Sequence, residues 1–143
     1  GVMLASAVQT YYYEFGVIPG RRAMIFTNNS SAYTLAHDLQ ATDKMIAGII
    51  DSRPSDAIGA EKDGLKIPLY AGKQITAAHG GKHLHAVSIR SADGRTKRVG
   101  CDLLAVSGGW NPSVHLFSQS RGTLAYDNAR PMWETTQESR QSE

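Results

Sequence analysis

The run Ala23-Met24-Ile25-Phe26-Thr27, followed by Asn28-Asn29-Ser30-Ser31 and then by Ala32, Leu35, Ala36 and Leu39, restricts this chain more than any other stretch. An unbroken apolar run is what a strand buried on both faces shows. Apolar residues at i, i+3, i+4 and i+7 make one stripe of a helix, with Ser30 or Ser31 placed to cap its first turn. Met45-Ile46-Ala47-Gly48-Ile49-Ile50 is a second buried-type strand. Strand, helix and strand within about 30 residues form a βαβ unit, so the two strands are parallel and the crossover right-handed. The predicted fold class is α/β.

The flanking segments follow the same logic. Leu4, Val8, Tyr11, Tyr12 and Phe15 recur at helical spacing and predict an amphipathic helix of about four turns, ended by Gly16 and Pro19-Gly20. That apolar start is too short to span a bilayer and carries no charged leader. The polar stretch Ser52–Gly64 predicts one short helix capped by Ser55, and Ile67–Tyr70 a third strand. From Gln74 the pattern changes to short runs broken by Gly80-Gly81 and Ala92-Asp93-Gly94, a three-stranded antiparallel meander over Gln74–His79, Leu84–Ser91 and Thr96–Gly100. Asp102–Ser107 is a further buried-type strand, stopped by Gly108-Gly109-Trp110-Asn111-Pro112. The expected domains are a helix and turn over residues 1–20, a nucleotide-binding-type domain over 21–112, and a return segment with a polar tail over 113–143. A chain that opens in a helix without Met and closes on a polar tail is expected to be a piece of something longer.

Composition narrows the function classes. Fifteen basic residues against 13 acidic ones leave a net charge of only +2, far from the concentrated basic surface that polyanion binding needs, so no nucleic-acid partner is expected. The single cysteine, Cys101, excludes an internal disulfide and reads as a packed thiol in a reducing, cytoplasmic setting. His79, His83 and His85 lack a matching carboxylate or thiol and predict no metal site. Arg90, Arg95, Lys97 and Arg98 read as a solvated basic hairpin. No G-x-S-x-G, Walker loop or His-Glu-x-x-His is present, so no catalytic residue is assigned.

The chemistry that remains lies at strand ends. Phe26–Ala32 stands where a dinucleotide-binding unit carries G-x-G-x-x-G, yet all three glycines are missing. Asn28 and Asn29 tolerate left-handed conformations and Ala32 can replace a packing glycine. Two readings stand: an altered phosphate loop over a helix N-terminus, with Asn28, Asn29 and Ser31 nearest a ligand, or a retained turn over an empty pocket. Asp51 ends the second strand about 23 residues beyond the loop, the place of a ribose-binding carboxylate. Arg53 could instead accept a 2′-phosphate, and a solvated strand-end pair is the bland alternative. Gly108 and Gly109 follow the last strand at a carboxyl end, where backbone can approach a ligand or simply turn away.

The order βαβ, strand, meander, returning strand and glycine turn is similar to the second nucleotide-binding half of the pyridine nucleotide–disulfide oxidoreductase architecture, a Rossmann-like three-layer domain. Gly1–Tyr11, the strand exit Phe26-Thr27-Asn28-Asn29, Cys101–Pro112 and His115–Gly122 resemble the alpha-subunit family of heterotetrameric sarcosine oxidases. The resemblance spans nearly the whole chain and weakens over Ser52–Lys73 and after Arg130. It implies a piece of a larger subunit whose partners are the remainder of the alpha chain and the beta, gamma and delta subunits. It further implies an amine-oxidising flavoenzyme that demethylates sarcosine, with FAD or FMN elsewhere in the complex. The products would be hydrogen peroxide and formaldehyde, or methylene-tetrahydrofolate when tetrahydrofolate is the cosubstrate. A non-redox NAD belongs to the family's alpha subunit, its glycine fingerprint lying in the preceding half. The resemblance supplies no catalytic residue here. A scaffold domain with a degenerate pocket is the alternative function.

Overall fold

A computed structural model describes residues 1–42, 45–129 and 132–136. The chain divides into two compact units, Gly1–Gly109 and Trp110–Glu143. Among the described residues no helix is long and apolar enough to cross a membrane.

The first unit runs β1 (Val2–Leu4), α1 (Ala5–Phe15), β2 (Arg22–Thr27), α2 (Ser31–Gln40), β3 (Met45–Asp51), two 3-10 turns (Ser55–Ala57, Ala60–Lys62), β4 (Leu69–Ala71), β5 (Gln74–Gly80), β6 (Leu84–Arg90), β7 (Thr96–Gly100) and β8 (Leu103–Ser107). Five parallel strands form one sheet in the order β1-β8-β2-β3-β4, and β5-β6-β7 form an antiparallel sheet of three. Because side chains alternate across a strand, each central strand feeds two cores. Ala23, Ile25, Ile49, Leu103 and Ala105 meet Val8 of α1 and Tyr33, Leu35, Ala36 and Leu39 of α2. Met24, Ile50 and Leu104 point the other way, onto Leu84, Val87, Ile89 and Val99 of the meander and onto Cys101. The result is the three-layer, Rossmann-like arrangement of helices, parallel sheet and meander. Cys101 is buried in that second core, and burial pushes its thiol up from its ordinary pKa.

The stripe Ala32, Leu35, Ala36, Leu39 is buried as its spacing requires. The N-terminal stripe is not: Leu4, Tyr11 and Phe15 are exposed, and only Ala5 and Val8 reach the core from α1. Val2–Leu4 form a strand instead, paired with Leu104–Val106 across the sheet edge, so the helix begins at Ala5. Gly16 does end it, at φ 65°, with the Gly16 and Val17 N–H groups returning to Tyr12 and Tyr11, the C-cap that glycine permits. The third strand lies at Leu69–Ala71, one residue past its expected end. Between Ala23 and Met24 the β2/β3 register slips past Ala47, and Gly48 there, at φ 148°, packs against the Pro68 carbonyl so closely that a Cβ would fall 2.6 Å from it.

The second unit contains α3 (His115–Gln119) and an antiparallel hairpin of β9 (Leu124–Asp127) and β10 (Met132–Thr135). Tyr126 and Trp133 face each other across that hairpin, ring centroids 5.3 Å apart. Expected as a return segment, this region holds its own short elements; the tail beyond residue 136 lies outside the described residues.

Candidate functional site

Parallel pairing sets three residues abreast at the carboxyl ends of neighbouring strands: Thr27 of β2 is in register with Asp51 of β3 on one side and Ser107 of β8 on the other. Open α/β sheets bind ligands at such an edge. Thr27 is buried, and its hydroxyl both donates to the Asn29 carbonyl (2.9 Å) and accepts from the Asn29 N–H (3.1 Å), folding the chain back at once.

The two asparagines stitch the β2 and β8 exits together. Asn28 Nδ2 donates to the Gly108 carbonyl at 3.2 Å. Asn29 Nδ2 donates to the Ser107 carbonyl and hydroxyl at 3.3 and 3.1 Å. Asn29 Oδ1 accepts the Ser31 N–H at 3.0 Å, so Asn29 caps α2. Neither serine does so as expected: the Ser31 hydroxyl turns to Asn29 Oδ1, and the Ser30 hydroxyl donates to Glu61. Gly109 adopts φ 96°, a left-handed backbone that favours glycine, and its α-carbon faces Asn28 and Asn29; Gly108 has open space above it.

Asp51 is fully buried. Its Oδ1 accepts from the Arg53 N–H (2.9 Å) and Arg53 Nε (3.2 Å); its Oδ2 accepts from Tyr33 Oη (2.9 Å) and Arg53 Nη2 (2.8 Å). A carboxylate offers about four lone-pair positions, and four donors fill them. Burial, followed by the hydrogen bond to Asp51, pushes the Tyr33 hydroxyl well above its ordinary pKa. The hydrogen bonds that Arg53 itself donates to Asp51 raise the pKa of its guanidinium. The guanidinium of Arg53 remains about a quarter exposed, with Nη1 donating to Ser30 Oγ (3.2 Å) and Nη2 3.6 Å from Glu61 Oε1. The Ser30 hydroxyl holds the Glu61 carboxyl below its usual range.

The structure therefore brings Asn28, Asn29, Ser31 and Gly108 into one hydrogen-bonded edge with Gly109 beside it, and joins Asp51 and Arg53 one strand away. Tyr33 and Glu61 were missed. Tyr33 carried a signal, a hydroxyl one turn into a helix otherwise striped with small and aliphatic residues; Glu61, in the segment read only as polar, carried none.

The remaining groups lie elsewhere. His83 falls in the β5–β6 turn, while His85 lies on β6, which begins at Leu84. His79 Nε2 lies 2.6 Å from Ser88 Oγ. Among the described residues no three His, Cys, Asp or Glu side chains come together as metal ligands. On the basic hairpin, Arg95 pairs with Asp93 at 3.4 Å and Lys97 sits 5.2 Å from the Tyr70 ring centroid.

No family model matches the chain. It is 37% identical to sarcosine oxidase subunit alpha of Rhizobium meliloti (strain 1021) over 133 residues, 93% of this chain and 12% of that subunit. To sarcosine oxidase subunit alpha of Corynebacterium sp. (strain P-1) it is 37% identical over 137 residues, 90% of this chain and 14% of the relative. The chain thus spans well under a fifth of the length of these curated relatives. Among solved structures, T. acidophilum thioredoxin reductase matches with a TM-score of 0.67 at 17% identity, covering 96% of this chain and 46% of that one. Histamine dehydrogenase from Rhizobium sp. 4-9 matches with a TM-score of 0.61 at 13% identity, covering 84% and 20%. At these identities the likeness is one of fold. By sequence, the chain matches one segment of the sarcosine oxidase alpha subunits, carried on a Rossmann-like fold.

Proposed function

We propose that this chain is the NAD(P)-binding-type half-domain of the alpha subunit of a sarcosine oxidase-type flavoenzyme complex, contributing binding and orientation but no catalytic group of its own. The observation that carries the reading is the 37% identity to sarcosine oxidase subunit alpha along 93% of the chain. In that setting the parent complex oxidises the N-methyl group of sarcosine at its flavin and releases hydrogen peroxide with formaldehyde or methylene-tetrahydrofolate. The remaining alpha-subunit regions and the beta, gamma and delta subunits are its partners, and its compartment is the cytoplasm.

The strand-end residues fit a nucleotide unevenly. Arg53 presents a guanidinium whose plane is fixed by Asp51, suited to a phosphate oxygen. Gly108, with open space where a side chain would stand, leaves room for close approach of backbone. Asp51 has no lone pair left for a ribose diol. NAD or NADP, when bound, would be held through Arg53, Ser31 and the Asn28–Asn29 turn, with Asp51 orienting Arg53 from behind. That saturation of Asp51 favours a second reading, a scaffold domain whose pocket holds no nucleotide.

Titration of the protein with NAD and with NADP, followed by backbone amide NMR, separates the two. Saturable shifts at residues 28–32 and at Arg53, weakened in Asp51→Asn, support the nucleotide half-domain. No shift at millimolar ligand supports the scaffold.

A further inference from the structure

We propose that Glu61 is a built-in anion that occupies the place of a ligand phosphate at Arg53 and Ser30, so that the site admits a nucleotide only when the Glu61 carboxylate swings aside. The inference rests on the nucleotide-type reading of the β2/β3 edge and adds to it the residue that gates it.

The backbone at Glu61 is pinned while its carboxylate is not buried. Ile58 is inserted in the helix-side core, only 2% exposed. Lys62 Nζ donates back to the Ser55 and Ile58 carbonyls at 3.3 and 3.1 Å, closing the segment on itself. His37 of α2 lies 3.0 Å from the Glu61 carbonyl. From this fixed strap the carboxylate, a quarter exposed, reaches Ser30 and comes within 3.6 Å of Arg53. Gly59 makes room for it: a Cβ there would stand 2.6 Å from Glu61 Oε2.

The charges decide what this does. Asp51 and Arg53 cancel, and Tyr33 is neutral, so Glu61 leaves the cluster with one net negative charge. An incoming phosphate meets a guanidinium already shared between two carboxylates, together with repulsion at short range in a partly buried setting. Removing the Glu61 charge leaves the cluster neutral and frees both the outer guanidinium face and the Ser30 hydroxyl. A bare surface ion pair would be worth little; here the competing anion and the ligand contend for the same two donors.

Calorimetric titration of the protein and of Glu61→Ala, Glu61→Gln and Gly59→Ala with NADP, NAD and inorganic phosphate tests this, with thermal unfolding as the check on folding. The expected result is NADP binding about ten-fold or more tighter in Glu61→Ala than in the parent chain. Gly59→Ala, which changes no charge but crowds the carboxylate, shifts affinity the same way. Should Glu61→Ala unfold, Glu61→Gln carries the test. Affinities within two-fold across all chains would overturn the gate while leaving the nucleotide reading standing, because the parent chain still binds. No binding by any chain at millimolar ligand overturns both.

Discussion

Replacing Asp51 with Asn probes the centre of the candidate site. The carbonyl oxygen of the amide keeps the two bonds at the Oδ1 position, from the Arg53 N–H and Nε. The amide nitrogen then faces Tyr33 Oη and Arg53 Nη2, formerly 2.9 and 2.8 Å from an acceptor. The tyrosine hydroxyl can turn and accept; the guanidinium cannot, since it has only donors. One charge pair and one charge-assisted hydrogen bond are lost, with a donor left against a donor. Breaking a fully buried pair costs about 3–5 kcal/mol. Arg53 is 24% exposed and water can reach its outer edge, so the expected cost lies at or just below that range, about 2–3 kcal/mol. With m near 1–3 kcal/mol per M in urea, the midpoint at pH 7 falls by roughly 0.7–3 M while m is unchanged. The loss persists in 1 M salt, because the pair is largely shielded from counterions. A cost under about 1 kcal/mol that vanishes in salt would refute the reasoning and make Asp51–Arg53 an ordinary surface pair.

Three further substitutions test the sheet ends. Asp102 accepts the Arg21 and Arg22 N–H groups at 2.8–3.0 Å; burial raises its pKa, but these backbone bonds outweigh that and hold the carboxyl below the 3.8 of an ordinary aspartate. A depressed carboxylate stabilises above its unfolded pKa and loses that contribution as pH falls through the folded value. Asp102→Asn should therefore lower the urea midpoint at pH 7, and the gap to the parent chain should close as pH falls below the ordinary 3.8 and through the lower folded value; a gap that stays constant as the carboxylate protonates would exclude it as the cause. Gly109→Ala forces an L residue to φ 96° and is expected to cost about 1–2 kcal/mol in urea unfolding, whereas Gly108→Ala, with open space above it, should stay within about 0.5 kcal/mol. Equal costs would mean that backbone conformation is not what Gly109 supplies.

Much of the layer structure was legible because periodicity is local. Ala23–Thr27 and the Ala32, Leu35, Ala36, Leu39 stripe announce a doubly buried strand and a one-faced helix whatever surrounds them. Val2–Leu4 could not be read as a strand, since what makes them one is an edge offered by residues about a hundred positions away. The site shows the same division. Asp51 and Arg53 were found by position, but whether Asp51 faces a ligand depends on Tyr33, which comes from α2 and is brought alongside only by the crossover. Glu61 reaches Ser30 across 31 residues of chain, through a segment with no periodic pattern.

The insertion of β8 between β1 and β2 has a consequence for how the chain is made. During synthesis β1 and β2 precede β8 by many residues, and neither can make its pairing with β8 until Leu103–Ser107 has left the ribosome. For most of translation of the first unit, β2 has β3 on one side and a bare row of amides and carbonyls on the other, the kind of edge that recruits other chains. Closure of the sheet is a late, non-local event and a slow one by its contact order. A chain stalled before Leu103 therefore holds β2, β3 and β4 with one side of β2 unpaired and β1 without its partner, a state exposed to aggregation or chaperone capture.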